Sequence, residues 1–143
     1  MEADGERVSE IGPGLLVLLG VASGDGEEQA DRIARKLLAL RLFEDADGRM
    51  NLNVGQAGGE LLCVSQFTLL GDTRKGNRPS FAEAARSDLA EPLYDRVRAA
   101  LGAQGGVFGA DMKVALVNDG PVTLMVESCA ARVFLHRFRE MFS

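Results

Sequence analysis

The run Ser65-Gln66-Phe67-Thr68-Leu69 places three polar side chains where an apolar stretch, Leu61 to Val64, gives out. At a strand end such groups either satisfy nearby backbone or form a row of donors and acceptors facing a ligand at the sheet rim. Thr68 could in principle act as a nucleophile, but a threonine hydroxyl without a neighbouring base is poorly activated. The chain holds one histidine, His136, and two cysteines, Cys63 and Cys129, which share no metal-ligand spacing. A zinc site or a Ser-His-Asp triad would have to be built around a residue close to the C-terminus, so neither is expected. Cys63 lies inside an apolar run and reads as a small buried hydrophobe. A second polar segment, Asn118-Asp119-Gly120-Pro121-Val122-Thr123, consists of residues that turns use, and by itself it reads as a turn with a trans Pro121.

Charge narrows the partners. The net charge of −5 argues against non-specific binding along a nucleic-acid backbone, which leaves a basic footprint. It does not exclude a protein that grips the end of an RNA, since Arg74, Lys75 and Arg78 cluster in one polar loop, Gly71 to Pro79. Taken alone, that cluster reads as a solvated loop.

The elements that must position these residues follow from periodicity. With 143 residues the chain suits one domain with a real core. Gly14 to Ala22 reads as a buried strand introduced by a Gly12-Pro13-Gly14 turn, and it is far too short to span a bilayer. The N-terminus lacks the basic start and apolar stretch of a secretory signal, so a cytoplasmic protein is expected. Asp25 with Glu28 resembles a capping box ahead of a helix whose apolar stripe is Ala30, Ile33, Ala34, Leu37 and Leu40. Strands are expected around Leu42 to Glu44 and Met50 to Val54, joined at Asp47-Gly48, and again at Glu60 to Phe67. Two further capping signals, Ser80 with Glu83 and Asp88 with Glu91, follow; the latter opens a helix with Leu89, Leu93, Val97 and Leu101 on one stripe. Pro92 falls within its first turn or so. Ala110 to Val117 alternates as a strand, Asn118 to Pro121 breaks it, and Val122 to Val126 starts another. From Cys129 onward, Val133, Phe134, Phe138 and Met141 suggest a short amphipathic helix. Strands and helices do not alternate strictly, so the expected fold class is α/β with a mixed, largely antiparallel sheet and helices packed on it.

Ser65 to Leu69 followed some fifty residues later by Asn118 to Thr123 resembles the two signature motifs of the D-aminoacyl-tRNA deacylase family. Glu10-Ile11-Gly12-Pro13-Gly14-Leu15-Leu16, Phe43-Glu44-Asp45, Asp72-Thr73-Arg74-Lys75-Gly76, Arg78-Pro79-Ser80-Phe81 and Phe108-Gly109-Ala110-Asp111-Met112 also look like family sequence, in family order. The resemblance covers roughly residues 5 to 128. It departs from the family in lacking the usual first β-strand, in a short segment between Leu101 and Phe108, and in an extra tail from Cys129 to Ser143. The domain organisation implied is a deacylase domain over 1–128, N-terminally short, with an amphipathic tail over 129–143. We expect that tail to cover part of the gap that a missing strand would leave.

The resemblance implies a cytoplasmic editing hydrolase acting on the ester between a D-amino acid, or glycine mischarged on tRNA for alanine, and the 3′-terminal adenosine of tRNA. It implies no cofactor and no metal, a homodimer with active sites at the subunit interface, and neither membrane nor DNA as partner. By resemblance, Ser65, Gln66, Phe67 and Thr68 are the catalytic segment. Gly120 and Pro121, with Asn118, Val122 and Thr123, match a Gly-cisPro filter that reaches into the other subunit and excludes L-residues. Arg74, Lys75, Arg78 and Met112 are candidate tRNA contacts. Two rival readings stand beside this one: a non-catalytic RNA-binding or scaffold paralogue on the same fold, and a related deacylase that accepts L-alanine.

Overall fold

The computed structural model describes residues 1–7, 11–128 and 131–140, with side chains for all of these except residues 7, 119–121, 128 and 131–140. In chain order the elements are β1 (Glu2–Ala3), β2 (Glu6–Arg7), β3 (Gly14–Gly20), α1 (Glu27–Ala39), β4 (Phe43–Glu44), β5 (Met50–Leu52) and β6 (Glu60–Ser65). A 3-10 turn (Phe67–Leu70), α2 (Ser87–Leu101), β7 (Gln104–Gly105), β8 (Met112–Lys113), β9 (Val117–Ser128) and β10 (Ala131–Glu140) complete them.

β3 and β6 are continuous apolar runs because both of their faces are covered. Leu15, Val17 and Leu19 of β3, with Leu61 and Cys63 of β6, pack under the helices. The alternate residues Leu16, Leu62 and Val64 pack on the opposite face with Met1, Ile11, Met112, Val114 and Leu116. The helices lay down Ala30, Ile33, Ala34 and Leu37 from α1, and Ala90, Leu93, Tyr94, Val97 and Leu101 from α2. On the solvent side the Arg96 guanidinium forks onto Asp31 at 2.8 and 3.0 Å and holds that carboxyl below its usual range.

The main sheet has the order β7-β6-β3-β10-β9. β3 runs parallel to β6, and β6 to β7, while β10 is antiparallel to both β3 and β9. The smaller sheets, β2-β1-β8 and β4-β5, are antiparallel. The fold is therefore mixed α/β with mostly antiparallel pairings, as expected.

Several local expectations are corrected. α1 opens two residues beyond the expected cap: the Gly26 N–H donates to Gln29 Oε1 at 2.8 Å, while Asp25 accepts from the Ala22 N–H at 2.8 Å and so pins the turn before the helix. Ser80 and Glu83 open no helix, because the Ser80 backbone pairs with Asp72 across a loop. Leu89 stays 38% exposed and Ala90 takes its place on the buried stripe of α2. Pro92 is the sixth residue of that helix rather than part of its first turn. β6 ends at Ser65, so Phe67 already belongs to the 3-10 turn. The strand expected over Ala110 to Val117 shrinks to Met112–Lys113.

Two corrections reshape the sheet. Asn118 to Pro121 does not reverse the chain; it lies within β9, where the register against β10 jumps from Val122 opposite Arg137 to Asn118 opposite Phe138. The expected C-terminal helix is instead the strand β10. Its run of valine, phenylalanine and leucine among arginines suits either period, and the exposed edge of β3 decides in favour of a strand. Cys129 and Met141 lie outside the described residues.

Under α2, the Tyr94 hydroxyl donates to the Cys63 carbonyl at 2.6 Å and accepts the Gly106 N–H at 3.4 Å. Burial pushes the Tyr94 hydroxyl and the Cys63 thiol each up to about 12, from 10.0 and 9.0. A pKa raised by folding gives stability that is complete below the unfolded value and is lost as pH climbs through the folded one. We expect the urea midpoint to be flat from about pH 6 to pH 9, above the range where carboxylates protonate, and to fall steadily between pH 9 and 12. The double variant Cys63→Ala, Tyr94→Phe should start lower but lose much less over that window. Parallel slopes for both proteins would assign the alkaline loss to other groups.

Candidate active site

β6 carries its chain out of the core at Ser65, beside the end of β3. There the Gln66 N–H donates to the Leu19 carbonyl at 2.8 Å, which fixes where the 3-10 turn begins. The turn lies directly against Gly20: a Cβ on that glycine would stand 2.5 Å from Leu70 Cδ2 and 3.1 Å from the Gln66 carbonyl. Glycine at this position is what permits the close approach. The turn closes with the Gly71 N–H on the Thr68 carbonyl at 3.0 Å, and the Gln66 side-chain amide donates to Thr68 Oγ1.

Beside this turn opens a cleft of about 570 Å³, within the range of small-ligand sites. Ser65, Gln66 and Phe67 line it together with Phe81, Arg86, Ala90, Phe108, Asp111, Met112 and Val114. Ser65 and Gln66 are half-buried, whereas Phe67 is 55% exposed and packs edge-to-face on Phe81, with ring centroids 5.2 Å apart. Thr68 is exposed and does not line the cleft, so of the expected catalytic segment three residues reach it. Met112 does line it, and also packs into the apolar layer behind.

The basic loop is closed at its base by a two-way backbone pair: the Asp72 N–H donates to the Ser80 carbonyl at 2.7 Å, and the Ser80 N–H to the Asp72 carbonyl at 2.8 Å. Arg74 folds back so that its guanidinium forks onto Asp72 at 2.9 and 2.7 Å. This exposed pair leaves Lys75 and Arg78 as the outward cations of the loop. None of the three lines the cleft; they sit on the chain segment between Phe67 and Phe81, which do.

The second signature segment is elsewhere. Asn118 Nδ2 donates to Thr123 Oγ1 at 2.8 Å, bridging the irregular stretch of β9. The side chains of Asp119, Gly120 and Pro121 lie outside those described. β6 and β9 are separated by β3 and β10, which at ~4.8 Å per strand places them about 14 Å apart. Ser65 is level with Leu19 and Val126, whereas Val122 is level with Leu15. At ~3.3 Å per residue the Gly120–Pro121 stretch is a further 15 Å or so along the sheet. A single chain therefore does not bring the two signature segments together.

Phe81, Arg86, Phe108 and Asp111, to which the sequence assigns no role, also line the cleft. Phe81 and the Phe108 to Met112 block stand out in the sequence only as family-like blocks; an aromatic residue just beyond a polar, proline-containing loop is the available signal. Among the described residues no group of three or more His, Cys, Asp or Glu converges as a metal site. Cys63 is fully buried, and its thiol, with a pKa of about 12, is no nucleophile for the cleft. No helix of the described residues is long and apolar enough to cross a membrane.

Fold and site thus define a mixed α/β domain with a ligand cleft at the rim of its sheet, lined by polar and aromatic side chains. The family model for D-Tyr-tRNA(Tyr) deacylase matches residues 1–127, and the chain belongs to that family of enzymes. It is 55% identical over 130 residues to a D-aminoacyl-tRNA deacylase of Myxococcus xanthus, covering 87% of this chain and 85% of the relative. A D-aminoacyl-tRNA deacylase of Escherichia coli O81 is likewise 55% identical, with 87% and 89% covered. Among solved structures, one described as c-Myc DNA Unwinding Element Binding Protein superposes with a TM-score of 0.83 at 40% identity, over 89% of this chain and 90% of that one. A probable eukaryotic D-amino acid tRNA deacylase shares the fold at a TM-score of 0.57 and 16% identity, over 87% of this chain and 96% of that one. The strand β10 lies beyond the residues the family model matches.

Proposed function

We propose that this chain is a D-aminoacyl-tRNA deacylase that works in the cytoplasm as a C₂ homodimer. It hydrolyses the ester of D-aminoacyl-tRNA, and of glycyl-tRNA mischarged on tRNA for alanine, while sparing L-aminoacyl esters. The observation that carries this reading is the separation of the two signature segments by about 20 Å within one chain. The Ser65–Phe67 wall has its cleft, but the Gly120–Pro121 backbone can enter such a cleft only from a second copy. β9 offers the means, for it is the edge strand of its sheet and leaves Val117, Leu124 and Met125 exposed.

In this reading Ser65 and Gln66 bind and orient the ester, and backbone N–H groups around Phe67 and Thr68 stabilise the developing oxyanion. A water attacks, assisted by the vicinal 2′-hydroxyl of the terminal adenosine. Discrimination rests on rigid backbone rather than on side-chain recognition, because the amino-acid substituent varies too widely to be read directly. The filter residues, held by the Asn118–Thr123 bridge and flanked by Val122, occupy the space into which an L-side chain would project. Glycine has no side chain to clash and passes.

The test is release of amino acid from charged tRNA, measured beside solution mass. We expect a dimer that frees D-tyrosine and glycine rapidly and L-tyrosine at least about 100-fold more slowly, a selectivity within reach of a steric filter. Equal inertness toward glycyl and L-alanyl esters would refute the filter. A folded dimer inert toward every ester would favour the paralogue without catalysis. Binding along duplex DNA, suggested by the description of one structural relative, would have to overcome the charge of −5.

A further inference from the structure

Phe67 and Phe81 stand out from the apolar residues around the cleft. They are 55% and 40% exposed, yet they are held against each other edge-to-face, with an interplanar angle of 72°. The arrangement is built in rather than left over from folding. The Phe81 ring lies over Gly71, where a Cβ would come within 3.0 Å of its Cε1 atom. Its backbone is fixed on one side by the Asp72–Ser80 pair, and on the other by Ala84 N–H on the Phe81 carbonyl and Ser23 N–H on the Glu83 carbonyl. The segments that carry the pair, residues 71–88, hold four cations, Arg74, Lys75, Arg78 and Arg86, and three acids, Asp72, Glu83 and Asp88, in a chain that is acidic overall. Asp72 takes Arg74 and Asp88 lies 3.8 Å from Arg86, while Lys75 and Arg78 are exposed on the loop. Exposed aromatic faces flanked by cations are what single-stranded nucleic acid uses: bases stack on the rings and phosphates meet the charges.

We propose that Phe81, seated against Phe67, forms a stacking subsite for the unpaired nucleotide that precedes the esterified adenosine. This rests on the deacylase reading above. If the ester lies against Ser65 to Phe67, the terminal nucleoside fills the cleft, and the next base along the strand leaves it over the exposed rings. Its phosphate then faces the loop of Lys75 and Arg78. A paired acceptor stem cannot present a free base face, so the subsite accepts the single-stranded end and nothing further along the stem.

Two non-hydrolysable probes test this: a D-alanyl 3′-amide of adenosine, and the same amide on cytidylyl-cytidylyl-adenosine. We expect the wild-type protein to bind the trinucleotide about 10-fold or more tightly than the nucleoside, the range that base–aromatic stacking supports. An abasic residue next to the adenosine should abolish most of that advantage. Phe81→Ala and Phe81→Leu should each reduce the ratio of the two affinities to near one, and Phe81→Trp should preserve it. Because the readout is a ratio within each protein, a general loss of folding does not imitate it. Full retention by Phe81→Leu would replace stacking with simple apolar bulk and overturn the subsite. So would a ratio near one in a wild-type protein that hydrolyses D-tyrosyl-tRNA, or a Phe81→Ala variant whose change is in dimer mass. A wild-type protein that neither hydrolyses D-tyrosyl-tRNA nor binds either probe would overturn the deacylase reading and the subsite together.

Discussion

A chain ending at Ser128 is expected to lose its cooperative unfolding transition and most of its solubility. β10 lies between two strands, pairing with β3 from Arg132 to Phe138 and with β9 from Ala131 to Glu140. Among the described residues β9 has no other partner strand, so removing β10 detaches it from the sheet and uncovers the apolar edge of β3. Each backbone hydrogen bond contributes about 0.5–1.5 kcal/mol net. Losing two full ladders removes an amount comparable with the whole stability of a small domain, about 5–15 kcal/mol. A free, flat, apolar strand edge also invites association between chains. Far-UV circular dichroism with thermal melting, together with the soluble fraction, measures the effect. An unchanged melting temperature would show that β10 is dispensable and that β3 tolerates a free edge. The detached β9 carries Asn118 to Thr123, so the truncated chain should also lose any chirality preference that survives partial folding.

Replacing the terminal ribose of the substrate with 2′-deoxyadenosine is expected to slow hydrolysis by at least about 100-fold, the lower end of what a general acid–base group contributes. The Cys63 thiol is buried, the Thr68 hydroxyl receives the Gln66 amide and stands outside the cleft, and the ionisable side chains lining it are Arg86 and Asp111. Arginine stays protonated at any working pH, which leaves Asp111, among the described residues that line the cleft, as the competitor for the role assigned to the 2′-hydroxyl. Single-turnover rates on D-tyrosyl-tRNA separate the two. The deoxy substrate should lose the rate with Asp111→Asn nearly unaffected, and Thr68→Ala should cost less than about tenfold, as a positioning change does. An undiminished rate on the deoxy substrate combined with a collapse in Asp111→Asn would move the base from RNA to protein.

The parts of this molecule that could be read from its residues are those fixed by local pattern. Leu15 to Leu19 and Leu61 to Val64 are apolar without interruption and had to be strands covered on both faces, and the Ala30–Leu37 stripe had to face a core. The order of the polar blocks around Ser65 and Gly120 carries the family resemblance without reference to any fold. Boundaries were less legible: Asp25 and Ser80 carry capping side chains, but each uses its backbone or carboxylate to pin a loop, because a neighbouring segment competes for the same hydrogen bonds.

What the sequence by itself determined was the chemistry available: hydroxyls, an amide and backbone at Ser65 to Thr68, a Gly-Pro pair, and a single histidine and two cysteines, all outside both segments. The tertiary structure alone decided three things. It made a strand of Ala131–Glu140, since a segment whose pattern suits both periods takes the conformation that an available sheet edge pairs with. It turned Asn118 to Pro121 from a chain reversal into an irregularity inside β9, because the pairing continues on both sides of it. And it set Ser65 and Gly120 some 20 Å apart, since strand order and register, not spacing along the chain, fix which residues can meet.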